Sequence, residues 1–284
     1  MRSPTTFAHF LRKLPSPIYK VLAQRWYDDK YPRHLFIELT SNCNLSCSYC
    51  PRPRISRELP YGLFKKIVDE ASLYGHRSFS LHLFGEPLLY PRIIESIRYL
   101  KRRGHTVILT TNGLLLGKFW RDLKDVDKII WSYKEKVEIP EEIKGWKNFT
   151  VRFFGRVVGK WKNTEVRGFH NYGGSLPLGV QSTDRFPCYH PWFAPAVNSN
   201  GDILICCADP LGKSAVGNVR NLSIAEAWAR MKTWRSEHLK GIFREPCTHC
   251  NTYLEYPNIW FSSQYSTSPS SGSSTQAGDS AQAK

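Results

Sequence analysis

An α/β fold is predicted, an open, partial parallel β/α barrel of five to six strands with a small cysteine-rich α+β unit behind it. Three observations predict it. Strand-like and helix-like segments alternate from residue 34 to about residue 158, the rhythm of a parallel sheet closing toward a barrel. The stretch left before Cys188 holds only one or two more such units, whereas a closed eight-unit barrel needs roughly 200 residues or more. From Cys188 onward the pattern changes to a hairpin, a short helix and further cysteines. A length of 284 residues accommodates one large unit and one small one.

The elements follow in order. Leu35–Thr40 reads as a first strand and runs directly into Cys43-Asn44-Leu45-Ser46-Cys47-Ser48-Tyr49-Cys50. Pro51-Arg52-Pro53-Arg54 then interrupts regular structure. Phe64, Ile67, Val68 and Ala71 recur at helical spacing, and Gly75 ends that helix. Ser78–Phe84 is a second strand that finishes in Gly85-Glu86-Pro87. Ile93, Ile94, Ile97 and Leu100 mark a second helix, closed by Lys101-Arg102-Arg103-Gly104. Thr106–Thr110 is a third strand, followed by Thr111-Asn112-Gly113. A helix around Leu115–Leu123 leads to a fourth strand at Lys128–Ser132, and Phe149–Val158 looks like a fifth. Ala196–Ile205 reads as a β-hairpin turning at Asn200-Gly201. Ser223 with Glu226 three residues later is a capping box, opening a helix that carries Ile224, Ala227, Trp228 and Met231. Residues 1–33 form a basic extension in which Ile18, Val21, Leu22 and Trp26 approximate one helical face, suited to packing on the barrel or lying on a membrane surface. Residues 262–284, rich in Ser, Gly, Gln and Ala, read as a disordered tail. The expected divisions are 1–33, a core at 34–182, a cysteine-rich unit at 183–261, and 262–284.

Eight cysteines fall in groups: Cys43, Cys47 and Cys50; Cys188; Cys206 and Cys207; Cys247 and Cys250. Such grouping suits metal ligation in a reducing compartment better than a disulfide framework. Three thiolates at C-x3-C-x2-C spacing, just past a strand end, can hold three irons of a [4Fe–4S] cluster and leave the fourth open. Zinc or a disulfide loop is the alternative, although structural zinc wants four ligands. A net charge of +16 favours an anionic partner such as nucleic acid, anionic lipid or an acidic peptide, or else serves solubility. No run is long and apolar enough to span a membrane, and Met1–Leu14 lacks the apolar core of a secretory signal. A cytoplasmic location is the expectation.

The cysteine triplet with Tyr49 before its last member, after a first strand, resembles the radical S-adenosylmethionine enzymes. Gly85-Glu86-Pro87 resembles that superfamily's Gly-Gly-Glu segment, with Phe84 in place of the usual first glycine. Thr110-Thr111-Asn112-Gly113 and Ser132 stand where the family has further cofactor contacts. No clear counterpart of the family's later GxIxGxxE element is present; Val157-Val158-Gly159-Lys160 is a poor substitute. Cys188, Gly201-x4-Cys206 and Cys247-x2-Cys250 resemble the SPASM/twitch extension, in its shorter form with one auxiliary cluster.

The resemblance implies a first [4Fe–4S] cluster on Cys43, Cys47 and Cys50 that binds S-adenosylmethionine and, given an electron from a donor such as flavodoxin or ferredoxin, generates a 5′-deoxyadenosyl radical that takes hydrogen from a substrate. It implies that Gly85, Glu86 and Pro87 receive the amino group of S-adenosylmethionine, unless Glu86 chiefly anchors the loop. It also implies adenine packing at Tyr49, and contacts to the cofactor at Thr111, Asn112 and Ser132. A second [4Fe–4S] cluster on Cys188, Cys206, Cys247 and Cys250 would accept an electron from the substrate or staple the region. Zinc at those four residues is the alternative. Cys207 could replace Cys206, because neighbouring strand residues point in opposite directions, although the Gly-x4-Cys spacing favours Cys206. A spare Cys207 would be a small buried hydrophobe or a hydrogen donor or acid. His82, His105, His170, His190 and His249 show no metal-ligand spacing. The expected substrate is a peptide or protein side chain or a small molecule; RNA modification and a non-catalytic Fe–S carrier or scaffold are the competing readings.

Overall fold

The computed structural model describes residues 30–168, 170–177, 188, 190–193 and 195–251. The predicted helix face in residues 1–33 and the tail at 262–284 lie outside the described residues, apart from residues 30–33. Nine strands form one sheet in the order β6-β5-β4-β3-β2-β1-β7-β8-β9. The first six are β1 (His34–Ile37), β2 (Ser78–Ser80), β3 (Thr106–Thr111), β4 (Lys128–Ser132), β5 (Phe149–Phe154) and β6 (Thr164–Arg167). Each pairs in parallel with the next, so the expected six-strand open barrel is present.

Helices cover the outer face of this sheet. Helix α1 (Tyr61–Ser72) buries Phe64, Ile67, Val68 and Ala71, the positions its sequence period selects. Each large apolar side chain so buried contributes about 1.5–3 kcal/mol. Helix α2 (Ile93–Arg102) buries Ile93, Ser96, Ile97 and Leu100; Ile94, expected inside, is only partly covered. The expected helix at Leu115–Leu123 is a short α3 (Leu116–Phe119) continuing as a 3-10 turn, Trp120–Leu123. Helix α4 (Glu141–Lys144) precedes β5.

Three strand ends differ most from expectation. The first strand, expected to reach Thr40, stops at Ile37. The second strand stops at Ser80 instead of Phe84, because Phe84 to Pro87 is drawn into a turn against the end of β1. The fifth stops at Phe154, and β6, which the sequence reading missed, follows after residues 155–163.

Alternation along the strands sorts their two faces. Val107 and Leu109 of β3, Ile129 and Trp131 of β4, and Phe149, Val151 and Phe153 of β5 are buried in the core. The intervening residues point to the opposite, inner face, with period two. The register sets Ser132 beside Arg152, Arg152 beside Glu165, and Phe154 beside Arg167 on that face.

The C-terminal region extends the same sheet. A short helix α5 (His190–Phe193) leads to β7 (Ala196–Val197), which pairs in parallel with β1. The hairpin to β8 (Asp202–Leu204) is antiparallel, as the Asn-Gly turn predicts, and β9 (Ala215–Asn218) completes the sheet. Helices α6 (Ile224–Arg230) and α7 (Lys232–Leu239) follow. The Glu70 carboxylate of α1 accepts from the backbone N–H groups of Ile224 and Ala225 at 3.0 and 2.8 Å, where a helix N-terminus favours an anion. Buried residues from Tyr31 through Met231 form one continuous core across both regions.

Candidate metal and cofactor site

The cysteine loop is an excursion closed at its base. Leu59 N–H donates to Leu39 O at 2.9 Å and Ser41 N–H to Arg57 O at 2.9 Å. The Ser41 hydroxyl donates to Ile55 O at 2.6 Å and accepts from Arg57 N–H at 2.9 Å. Between these clasps lie Cys43, Cys47 and Cys50, all partly exposed and none in a disulfide. Cys50 N–H donates to Cys47 O at 3.1 Å, which curls the loop. Burial pushes the Cys50 thiol up, and the nearby Cys47 and Cys43 sulfurs push it the same way. Mutually repelling thiols of this kind are relieved when a cation ligates them.

The Gly85-Glu86-Pro87 turn docks against that base. A Cβ on Gly85 would lie 1.9 Å from Thr40 O, so only glycine lets the two backbones approach this closely. Glu86 N–H donates to Asn42 O at 2.7 Å. The Glu86 side chain is buried, and its carboxylate accepts from Leu88 N–H at 3.1 Å, the Thr111 hydroxyl at 2.8 Å and Asn112 N–H at 2.8 Å. Both its oxygens are thus engaged in tying β2's loop to β3's loop. Pro87 opens a 3-10 turn, Pro87–Leu89.

Asn112 is thereby aimed at the cysteines. Its Nδ2 donates to Asn44 Oδ1 at 2.8 Å and lies 3.8 Å from Cys43 Sγ, while its carbonyl accepts from Trp131 Nε1 at 3.1 Å. Tyr49 packs its ring 5.9 Å from that of Phe154 on the inner face of β5, and its hydroxyl meets Lys134 Nζ. Ser132 ends β4 beside Arg152. Cys43, Glu86, Thr111 and Asn112 therefore form one hydrogen-bonded group, with Gly85 packed on Thr40 next to it, while Tyr49 packs against Phe154 and Ser132 ends β4.

The late cysteines form a second group. Burial pushes the Cys188 thiol well up, reinforced by Cys250, Cys247 and Cys207. The hydrogen bond shared by the adjacent thiols raises Cys206 and lowers Cys207. Ala208 N–H donates to Cys206 Sγ at 3.2 Å, the kind of N–H···S contact that stabilises a ligating thiolate. Cys207 Sγ lies 3.7 Å from His190 Nδ1, and the donor atoms of His190, Cys206 and Cys207 fall within 4.8 Å of one another. The sequence reading set His190 aside for lack of spacing; α5 brings it to the cysteines from 16 and 17 residues away, a proximity no spacing encodes. Among the described residues His190, Cys206 and Cys207 are the one set of three such donors that close together, and neither the Cys43, Cys47 and Cys50 sulfurs nor those of Cys188, Cys206, Cys247 and Cys250 converge to that distance. Sulfur and imidazole donors suit iron or zinc better than the oxygen-seeking cations.

Other residues around the site carried no sequence motif. Glu38, buried at the end of β1, accepts from Phe84 N–H at 3.2 Å and from the Ser199 N–H and hydroxyl at 3.0 and 2.8 Å. It joins the turn preceding Gly85 to the β7–β8 hairpin. Arg152, Glu165 and Arg167 share the inner face of β5 and β6. The alternation of polar and apolar residues in Phe149–Phe154 was the one signal that could have pointed to Arg152.

Residues 37–143 match the radical SAM superfamily, and residues 188–251 match an iron–sulfur cluster-binding domain, SPASM. The chain is 35% identical over 88 residues to the tungsten-containing aldehyde ferredoxin oxidoreductase cofactor-modifying protein of Pyrococcus furiosus, a match covering 30% of this chain and 25% of that protein. This chain therefore matches only a quarter of that relative's length. Among solved structures, BtrN in complex with AdoMet and 2-DOIA superposes with a TM-score of 0.66 at 22% identity, over 79% of this chain and 94% of BtrN. Streptococcus suis SuiB bound to precursor peptide SuiA superposes with a TM-score of 0.58 at 17% identity, over 78% and 70%. At such identities the likeness is one of fold. Residues 37–143 thus carry a radical SAM domain, laid over the parallel sheet and the first cysteine group, and residues 188–251 carry a SPASM iron–sulfur domain with the second.

Proposed function

We propose that this chain is a radical SAM enzyme with two [4Fe–4S] clusters that removes a hydrogen atom from a small-molecule or peptide substrate. The observation that carries this reading is the joining of Cys43 to the Glu86-anchored Asn112 at the sheet's C-terminal end. Cys43, Cys47 and Cys50 would hold the first cluster and leave one iron for S-adenosylmethionine. Cys188, Cys206, Cys247 and Cys250 would hold the second, with Cys206 favoured over Cys207 by its Ala208 N–H contact. When bound, the first cluster supplies the electron for reductive cleavage of S-adenosylmethionine, delivered to it by a donor such as flavodoxin or ferredoxin.

This chain's residues do the rest. The Gly85 turn keeps its backbone on the cysteine loop and offers polar groups to the amino end of the cofactor. Glu86 holds Thr111 and Asn112 in register, so it anchors the loops and does not bind ligand directly. Asn112 buttresses the loop next to Cys43. Tyr49 and Phe154 wall the site with aromatic surface and exclude water. Ser132 stands ready for a ribose hydroxyl. The division into a core at 34–182 and an auxiliary unit at 183–261 belongs to the same proposal. Both substrate classes have fold-level support, since BtrN was captured with 2-DOIA and SuiB with a precursor peptide.

The test is iron and sulfide analysis after anaerobic reconstitution, together with 5′-deoxyadenosine release. About eight irons per chain are expected for two such clusters, with 5′-deoxyadenosine formed from S-adenosylmethionine and a reductant. Cys206→Ser should lower the count to about four, whereas Cys207→Ser should leave it near eight. About four irons in the unsubstituted protein would remove the second cluster, and no 5′-deoxyadenosine would remove the enzymatic reading.

A further inference from the structure

We propose that Lys134, just past the end of β4, is a positioning residue that acts through Tyr49. It fixes the last part of the cysteine loop and sets how tightly the adenosyl part of S-adenosylmethionine is held. This rests on the reading of the chain as a radical SAM enzyme and adds to it a residue that no sequence motif marks.

Beyond the clasps at its base, the cysteine loop is tied to the sheet beside each end of the triplet. At the first end Asn44, next to Cys43, accepts from Asn112 Nδ2 at 2.8 Å, in the turn after β3. At the last end Tyr49, next to Cys50, accepts at its hydroxyl from Lys134 Nζ. The same ammonium lies 4.7 Å from the centroid of the Tyr49 ring. Phe154, the last residue of β5, meets that ring at 5.9 Å. Tyr49 thus bridges from the loop to the C-terminal ends of β4 and β5, and Lys134 holds it by both its polar and its aromatic part.

Lys134 reaches Tyr49 because the chain stays extended past Ser132. Tyr133 N–H donates to Arg152 O at 2.9 Å, which continues the pairing with β5. The Trp131 and Tyr133 rings pack on each other and on Phe149 and Phe153, toward the core. Alternation then turns Ser132 and Lys134 to the inner face. No carboxylate among the described residues pairs with Lys134, so the phenol and its ring anchor this half-buried ammonium. What the contact secures is preorganisation. A ring left to rotate must be ordered when a flat base packs on it, and that ordering weakens binding. The effect is confined to the adenosyl part of the cofactor. The amino and carboxylate groups, which S-adenosylmethionine shares with methionine, fall to the open iron and the Gly85 turn.

The test is equilibrium dialysis of the anaerobically reconstituted protein, without reductant, against S-adenosylmethionine and against L-methionine. Lys134→Met should weaken binding of S-adenosylmethionine about fivefold, the scale of ordering one side chain, and leave that of methionine within about twofold. Tyr49→Phe keeps the ring but removes the oxygen that Lys134 holds, and should weaken S-adenosylmethionine to a similar degree. The double variant should be no weaker than either single one, because both remove the same interaction. If Lys134→Met fails to fold or to load iron, the same split between the two ligands in Tyr49→Phe decides the matter. Unchanged binding of S-adenosylmethionine, or losses that add in the double variant, would overturn the proposal. So would equal weakening of both ligands, which would put the ammonium on the amino-acid end of the cofactor. No binding of S-adenosylmethionine by the unsubstituted protein would sink the reading of the site together with the proposal. Lysine-dependent binding without 5′-deoxyadenosine release on adding reductant would sink the proposed activity alone. Release with unchanged binding in Lys134→Met would sink the positioning role alone.

Discussion

Glu86 shows how one buried side chain can tie two loops together. Its oxygens accept three hydrogen bonds from two loops, and burial raises its carboxyl against those bonds. In Glu86→Gln an amide NH2 replaces one oxygen and must face the Asn112 N–H or the Thr111 and Leu88 donors. Donor would meet donor in a buried position, a loss of about 1–3 kcal/mol. Chemical denaturation of the reconstituted protein should show that loss, and an unchanged midpoint would mean that the carboxylate is not the anchor. The sequence motif identified this residue but left two roles open. The hydrogen bonds that favour anchoring come from Thr111 and Asn112, 25 and 26 positions along the chain, so no local pattern could decide between them. Cys206 and Cys207 pose the same limit in reverse. Spacing brought both to the site, but the Ala208 N–H and the His190 ring that distinguish them are properties of the fold.

At the level of elements, what was legible was whatever a period or a local motif encodes. The face of α1 was read residue for residue, and the Ser223–Glu226 capping box is formed, with Ser223 N–H donating to Glu226 Oε2 at 2.9 Å and Glu226 N–H to Ser223 Oγ at 3.1 Å. What was not legible was where strands stop. Ser78–Ser80 is cut short by long-range contacts of Phe84 and Gly85 with the end of β1, and β6 was missed because Thr164–Arg167 carries charges on its inner face and leaves Val166 exposed. Nor could the hairpin's docking be read, since β7 joins β1 through backbone pairing and the Glu38–Ser199 bonds. The capping box gives a prediction at this scale. Ser223→Ala removes the hydroxyl that accepts from Glu226 N–H and should cost about 1 kcal/mol of stability. Glu70 still holds the Ile224 and Ala225 N–H groups, so the helix should persist. Urea unfolding followed by circular dichroism reads both points, and a stability unchanged within error would show that Glu70 alone suffices.

The whole molecule places an unusual set of neutral histidines inside. His34 is buried with its ring nitrogens 3.0 Å from the Ser78 and Ser80 hydroxyls, and burial holds it down at about 3. Burial, then Arg152, puts His82 well below its ordinary range, and burial, then His76, lowers His105. These groups stay neutral in the folded chain but take up protons below about pH 6.5 when unfolded. Their contribution is therefore complete above that pH and is lost as pH falls toward their depressed folded values, at about 1.4 kcal/mol per pH unit for each. Carboxylates cannot account for a loss in this window: Glu165, held at about 2, gives up its contribution only between its ordinary 4.5 and that value. Acid sensitivity between pH 6.5 and 5 thus belongs to the histidines, and His34 alone accounts for about 2 kcal/mol of it by pH 5. Unfolding free energies measured at pH 7.5, 6 and 5 should fall in the unsubstituted protein. In His34→Gln, whose amide can still bond a serine hydroxyl, the fall over this range should be about 2 kcal/mol smaller, whatever the variant loses at pH 7.5. The comparison cancels any acid sensitivity of the cysteine groups, because both proteins share them. A fall of equal size in the two proteins would show that His34 is protonated while folded, and would break the link between its burial and the acid sensitivity.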